Sequence, residues 1–133
     1  MDLEFSHIGI AVRDAEDALQ RWTAMGARKT GEEVLEHMRL RVVFLDMGGV
    51  TIELIAPTAA DTAIAKFLER RGPGLHHLSF EVPDIEAALK NAEEQGMRLI
   101  DRTPRDGAHH MHVAFLHPDS TGGVLVEYCQ PRA

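Results

Sequence analysis

A run of residues alternating between apolar and polar, then a stretch with helical period, then three more alternating runs: this pattern is written twice along the chain. The first strand of each copy is built around His-x-x-x-x-Val, over residues 5–12 and again over 76–82. Asp14 and Asp84 stand as N-caps before amphipathic stretches at 15–25 and 85–95, which Gly26 and Gly96 end. Three strands follow in each copy, at 27–34, 39–47 and 50–56, then at 97–102, 110–117 and 123–130. Between the copies, Asp61–Arg71 reads as a helix that stops at Gly72-Pro73. The expected fold class is α+β: two tandem βαβββ modules, 1–58 and 74–133, joined by a linker helix within 61–72. Together they make a single domain over 1–133, with a curved mixed sheet around a central cavity.

The two copies also match residue by residue. At a constant offset of 70, His7, Val12, Asp14, Glu16, Ala18, Leu19, Gly26 and Arg28 recur as His77, Val82, Asp84, Glu86, Ala88, Leu89, Gly96 and Arg98. That is eight identities in 22 positions without a gap. Gly49–Glu53 then aligns with Gly123–Glu127 at an offset of 74, the extra residues falling in loops, where insertions cost little. Period-two alternation puts Ile8, Ile10 and Val12 on the face that packs under a helix, and His7, Gly9 and Ala11 on the other. In the second copy Leu78, Phe80 and Val82 oppose His77, Ser79 and Glu81. In the last strands Glu53 opposes Ile52 and Leu54, and Glu127 opposes Val126 and Tyr128. Each module thus offers one histidine from its first strand and one glutamate from its last. A pseudo-twofold axis would bring His7, Glu53, His77 and Glu127 together, a set with metal-ligand chemistry; a structural residue duplicated with its module would recur as well.

Composition narrows the function classes. The 133 residues carry 14 basic and 21 acidic side chains, a net charge of −7, which disfavours non-specific binding to nucleic acid. The longest apolar runs, Val42–Leu45 and Val113–Leu116, are far short of the ~20 residues that span a bilayer. A lone cysteine, Cys129, and a start without a signal-peptide pattern lead to the expectation of a cytoplasmic protein with no membrane partner.

The segments His7–Val12, Ile52–Pro57, Lys66–Gly72, Gly74–Val82 and Phe115–Glu127 resemble the vicinal oxygen chelate superfamily of glyoxalases and extradiol dioxygenases. Gly-Leu-His-His at 74–77 and the Phe115–Glu127 stretch are similar, within it, to the epimerases of methylmalonyl-CoA. The resemblance implies that His7, His77 and Glu127 ligate a divalent metal, with Glu53 in a fourth position where epimerases carry Gln or Glu. His76 then faces the opposite side as a structural residue. Two imidazoles and two carboxylates suit Co²⁺, Mn²⁺, Ni²⁺ or Fe²⁺, with Zn²⁺ also possible. The implied activity is metal-dependent epimerisation at C2, by proton abstraction and return through a metal-stabilised enolate. The resemblance further implies a small-molecule CoA thioester as substrate and a homodimeric assembly.

From their repeat-equivalent placement, Glu127 and Glu53 are expected to serve as the two bases, one on each face of C2. Lys66 and Arg70, at i and i+4, are candidates for CoA phosphates or simply cations near a helix C-terminus. His117 and Ser120 are candidates for the pocket mouth, or else turn elements. His109, His110 and His112 replace the glycine and basic residues of the epimerase pattern, and Arg41 and Val42 stand where some members carry an acid. Two other readings remain: a glyoxalase-type lyase or other metal enzyme of this fold, and a non-catalytic small-molecule-binding member.

Overall fold

The computed structural model describes residues 2–133. By contacts the chain parts into two compact units. His7–His76 form one, and His77–Ala133 form the other together with the N-terminal residues up to Ser6.

The first module runs β1 (Glu4–Ala11), α1 (Ala15–Ala24), β2 (Arg28–Leu35), β3 (Leu40–Met47) and β4 (Val50–Pro57). Its strands lie in the order β2-β3-β4-β1, with β1 parallel to β4 and the other neighbours antiparallel. The parallel pairing follows from the crossover through α1, because strands joined by a tight turn can pair only antiparallel. Asp14 caps α1 by accepting the backbone N–H groups of Glu16 and Asp17, a contact worth about 1 kcal/mol. Gly26 closes it with φ 113°, a value L side chains rarely adopt. The alternation resolves as expected: Ile10, Val12, Val43, Leu45, Ile52, Leu54 and Ala56 pack with Ala15, Ala18 and the partly buried Trp22 of α1. Five consecutive β4 residues, Ile52–Ala56, are buried, so the face that carries Glu53 is covered too.

The linking helix α2 (Ala63–Arg71) begins two residues later than the sequence suggested. Thr62 is not its first residue but its N-cap, accepting the N–H of Ala65. Gly72, at φ 75°, ends it.

The second module runs β5 (Gly74–Glu81), α3 (Ile85–Glu94), β6 (Arg105–Asp106), β7 (Met111–Leu116) and β8 (Val126–Pro131). Its order is β6-β7-β8-β5, with β5 parallel to β8. Val82, Ala88, Leu89, Ala92, Ala114 and Leu116 form its core, joined by Val126 and Tyr128. Here the structure corrects the repeat. The expected strand at 97–102 is absent; a single bridge, Leu99 to Leu116, and the two-residue β6 stand in its place. The carboxylate of Asp101 accepts the Phe115 N–H at 2.9 Å, a donor that a backbone carbonyl would otherwise take, and Pro104 carries no N–H to extend a ladder. β8 also starts three residues late. The Thr121 hydroxyl donates to the Val124 carbonyl, the position equivalent to Val50 where β4 begins in the first module, and the 3-10 turn at Pro118–Thr121 leads into it.

Candidate metal centre

In the first unit, parallel pairing sets Gly9 of β1 against Glu53 of β4. His7 lies two residues before Gly9, hence on the same face, and Gly9 has no side chain to intervene. The His7 imidazole and the Glu53 carboxylate meet, Nδ1 to Oε2, at 3.2 Å, each residue 7% exposed. Phe44, paired with Glu53 from β3 and buried, closes the other flank.

The second unit repeats this arrangement with other chemistry. Ser79 of β5 pairs with Glu127 of β8, and Phe115 of β7 pairs with Glu127 from the far side. His77 is 5% exposed and meets the Phe115 ring edge to face, with centroids 5.3 Å apart. Glu127 is 6% exposed, and the Ser79 hydroxyl donates to its Oε1 at 2.6 Å. Burial pushes the Glu127 carboxyl up to about 7, since a low-dielectric surround penalises the charged form; the Ser79 hydrogen bond and the Arg105 charge offset part of this. Such a carboxylate gains from a bound cation.

All four candidates from the sequence are therefore buried polar side chains on the expected faces. Within the second unit, His77 and Glu127 are side chains of the kind that holds a metal ion, and His7 is such a side chain in the first. Ser79 escaped the sequence reading, which took it for a small neighbour of His77. The register would have revealed it: Ser79 stands to Glu127 as Gly9 stands to Glu53.

His76, as expected, is occupied elsewhere: its ring meets Phe67 of α2 edge to face at 4.9 Å. Burial, with Arg71 adding repulsion, lowers it to about 4. The unfolded chain takes up this proton below about 6.5 and the folded one only near 4. The stability is therefore full above 6.5 and lost as pH falls toward 4. Between pH 7.5 and 5, wild type is expected to lose up to about 2 kcal/mol more than His76→Gln, measured by denaturant unfolding at each pH. Equal losses would place the acid sensitivity elsewhere.

Of the remaining candidates, Lys66 and Arg70 are exposed on α2, and Arg71 lies over the Phe67 ring at 5.8 Å. The Ser120 hydroxyl oxygen accepts the Arg98 N–H at 2.8 Å, and His117 Nδ1 accepts the Asp119 N–H at 3.1 Å as the cap of its turn. His109 and His110 take left-handed backbone in an exposed turn, and His112 Nδ1 lies 3.6 Å from the Asp106 carboxylate. Among the described residues no helix is long and apolar enough to cross a membrane.

These features define a class. Residues 6–115 match the model of the Glyoxalase/Bleomycin resistance protein/Dioxygenase superfamily, and the chain belongs to that superfamily. Its fold is the vicinal oxygen chelate fold, shared with a solved methylmalonyl-CoA epimerase from Streptomyces coelicolor, a variant in complex with 2-nitronate-propionyl-CoA. The TM-score is 0.89 at 31% identity, covering 98% of this chain and 95% of that one. Within the superfamily the chain stands with the epimerases, an isomerase family. It is 36% identical over 125 residues to the ethylmalonyl-CoA/methylmalonyl-CoA epimerase of Cereibacter sphaeroides, with 92% of this chain and 93% of the relative covered. It is 40% identical over 127 residues to the uncharacterized protein YqjC of Bacillus subtilis, covering 95% and 91%.

Proposed function

We propose that the chain is a metal-dependent methylmalonyl-CoA epimerase, with His7, His77, Glu127 and Glu53 as the ligands of one divalent ion. The observation that carries this reading is the duplicated, buried His and Glu pair, in a chain that is similar over nearly its whole length to characterised epimerases. The donor chemistry fits the group: the structure gives two imidazoles and the Glu127 carboxylate, and with Glu53, 3.2 Å from His7, as the proposed fourth ligand the set suits Co²⁺, Mn²⁺, Ni²⁺ or Fe²⁺. A buried carboxylate raised to about 7 in the metal-free chain is stabilised by a neighbouring cation. A divalent ion held there supplies Lewis-acid stabilisation of the negative charge that develops on the thioester and carboxylate oxygens.

The chain's own residues handle the proton. In one direction Glu127 starts ionised and takes the proton from one face of C2, while Glu53 starts protonated and gives its proton to the other; the turnover leaves Glu127 protonated and Glu53 ionised, which is the state that serves the opposite enantiomer. Lys66 and Arg70, exposed and one turn apart on α2, would meet the CoA phosphates; His117 and Ser120 would border the pocket mouth. The reading includes a homodimer and, with Cys129 free and buried, the cytoplasm.

The test is deuterium wash-in at C2 of methylmalonyl-CoA in D₂O, followed by NMR, on protein stripped with chelator and reloaded with Co²⁺ or Mn²⁺. Metal-dependent exchange with racemisation is the expected result. Tight metal binding with no exchange would point instead to a different thioester or to a glyoxalase-type substrate.

A further inference from the structure

Within the second unit, Ser79 is completely buried, 0% exposed, and its hydroxyl proton goes to Glu127 Oε1 at 2.6 Å. The same Oγ lies 3.4 Å from Cys129 Sγ. The sulfur is thus a second acceptor within reach of the one hydroxyl proton, and the shorter bond to the carboxylate is the stronger of the two. Cys129 is itself buried and hydrogen-bonded to the Ser6 hydroxyl.

The first module has no counterpart. The residue equivalent to Ser79 is Gly9, and Glu53 meets the His7 imidazole at 3.2 Å. One glutamate of the duplicated pair therefore has an oxygen engaged by a buried hydroxyl, at a position where its twin faces a bare backbone.

We propose that Ser79 is a positioning residue: by holding Glu127 Oε1 it fixes the plane of the carboxylate and so the direction from which Glu127 meets the ion. The proposal rests on the metal-dependent reading above. Partners that orient a ligand in this way typically contribute 10- to 100-fold to metal affinity. Ser79 exchanges no proton with substrate; it acts through Glu127.

The experiment compares metal-free wild type, Ser79→Ala and Cys129→Ala. Co²⁺ affinity is read by competition with a chromophoric chelator, and the ligand geometry by the visible spectrum of the Co²⁺ protein. Ser79→Ala is expected to bind Co²⁺ about 10- to 100-fold more weakly and to show a shifted visible band. Cys129→Ala, which removes buried volume beside Ser79 but keeps the hydroxyl on Glu127, is expected to stay close to wild type in both. Wild-type affinity and spectrum in Ser79→Ala would overturn the positioning role alone. Equal changes in both variants would overturn it too, by tracing the effect to packing. Failure of the wild-type protein to bind Co²⁺ would overturn the metal-dependent reading, and this inference with it.

Discussion

Glu127→Gln is expected to slow deuterium wash-in at C2 of methylmalonyl-CoA by about 10²- to 10⁴-fold, the usual contribution of a general base. The substitution is close to isosteric, and the amide carbonyl can still accept from the Ser79 hydroxyl that Oε1 now accepts at 2.6 Å. What disappears is the negative charge and with it the basicity. Stability should move the other way. A carboxyl raised from 4.5 to about 7 by folding favours the folded state fully below pH 4.5, and that contribution is lost as pH rises through 7. At pH 8 the metal-free variant should therefore unfold at a denaturant concentration equal to or above that of wild type. A slower but less stable variant would signal a folding defect rather than a missing base. Glu53→Gln is the companion measurement. A comparable loss supports two bases, and full activity would leave Glu53 as a ligand or bystander and send the search for the second base elsewhere.

Metal affinity should fall steeply in acid. Binding an ion through Glu127 requires its carboxylate, yet in the metal-free protein this group holds its proton up to about pH 7. Between pH 8 and 5.5, that one proton alone should weaken Co²⁺ binding about 30-fold, and protonation of imidazole ligands adds to the effect. The pH dependence of stability then reverses sign with loading. Metal-free protein gains from Glu127 as pH falls from 7 toward 4.5. Loaded protein, with free ion at about 100 times Kd, gains about 2.7 kcal/mol at neutral pH and surrenders it as protons displace the metal. Unfolding curves with and without Co²⁺ at the two pH values check this. An affinity flat across that range would remove Glu127 from the ligand set.

Much of the frame was legible before any coordinates. Asp14 and Asp84 cap the helices they were expected to cap, and the faces of the first strands follow from simple alternation, so that Ile10 and Val12 lie under α1 while His7 turns away. These features are local: a cap needs three residues, and a face needs only period two. The stretch from Met97 to Asp106 failed because its structure is decided at a distance. The Asp101 carboxylate takes the N–H of Phe115, 14 residues on, and no periodicity announces a side chain standing in for a strand. Ser79 was unreadable for the same reason, since its meaning lies in a partner 48 residues away. Sequence gave the histidines and glutamates as a set because they recur, whereas Ser79 matters through not recurring.

That Gly9 occupies one copy and Ser79 the other bears on why such a frame stays fused. Two separate identical modules assembling around a twofold axis would be bound to offer identical carboxylates to both sides of a substrate, because one gene would encode both. Covalent duplication lifts that constraint, and a single hydroxyl then suffices to make the twins unequal. On the proposed reading the reactant has a chiral centre and does not present equivalent sides, so a fused duplication leaves each half free to differ where two copies of one gene product could not.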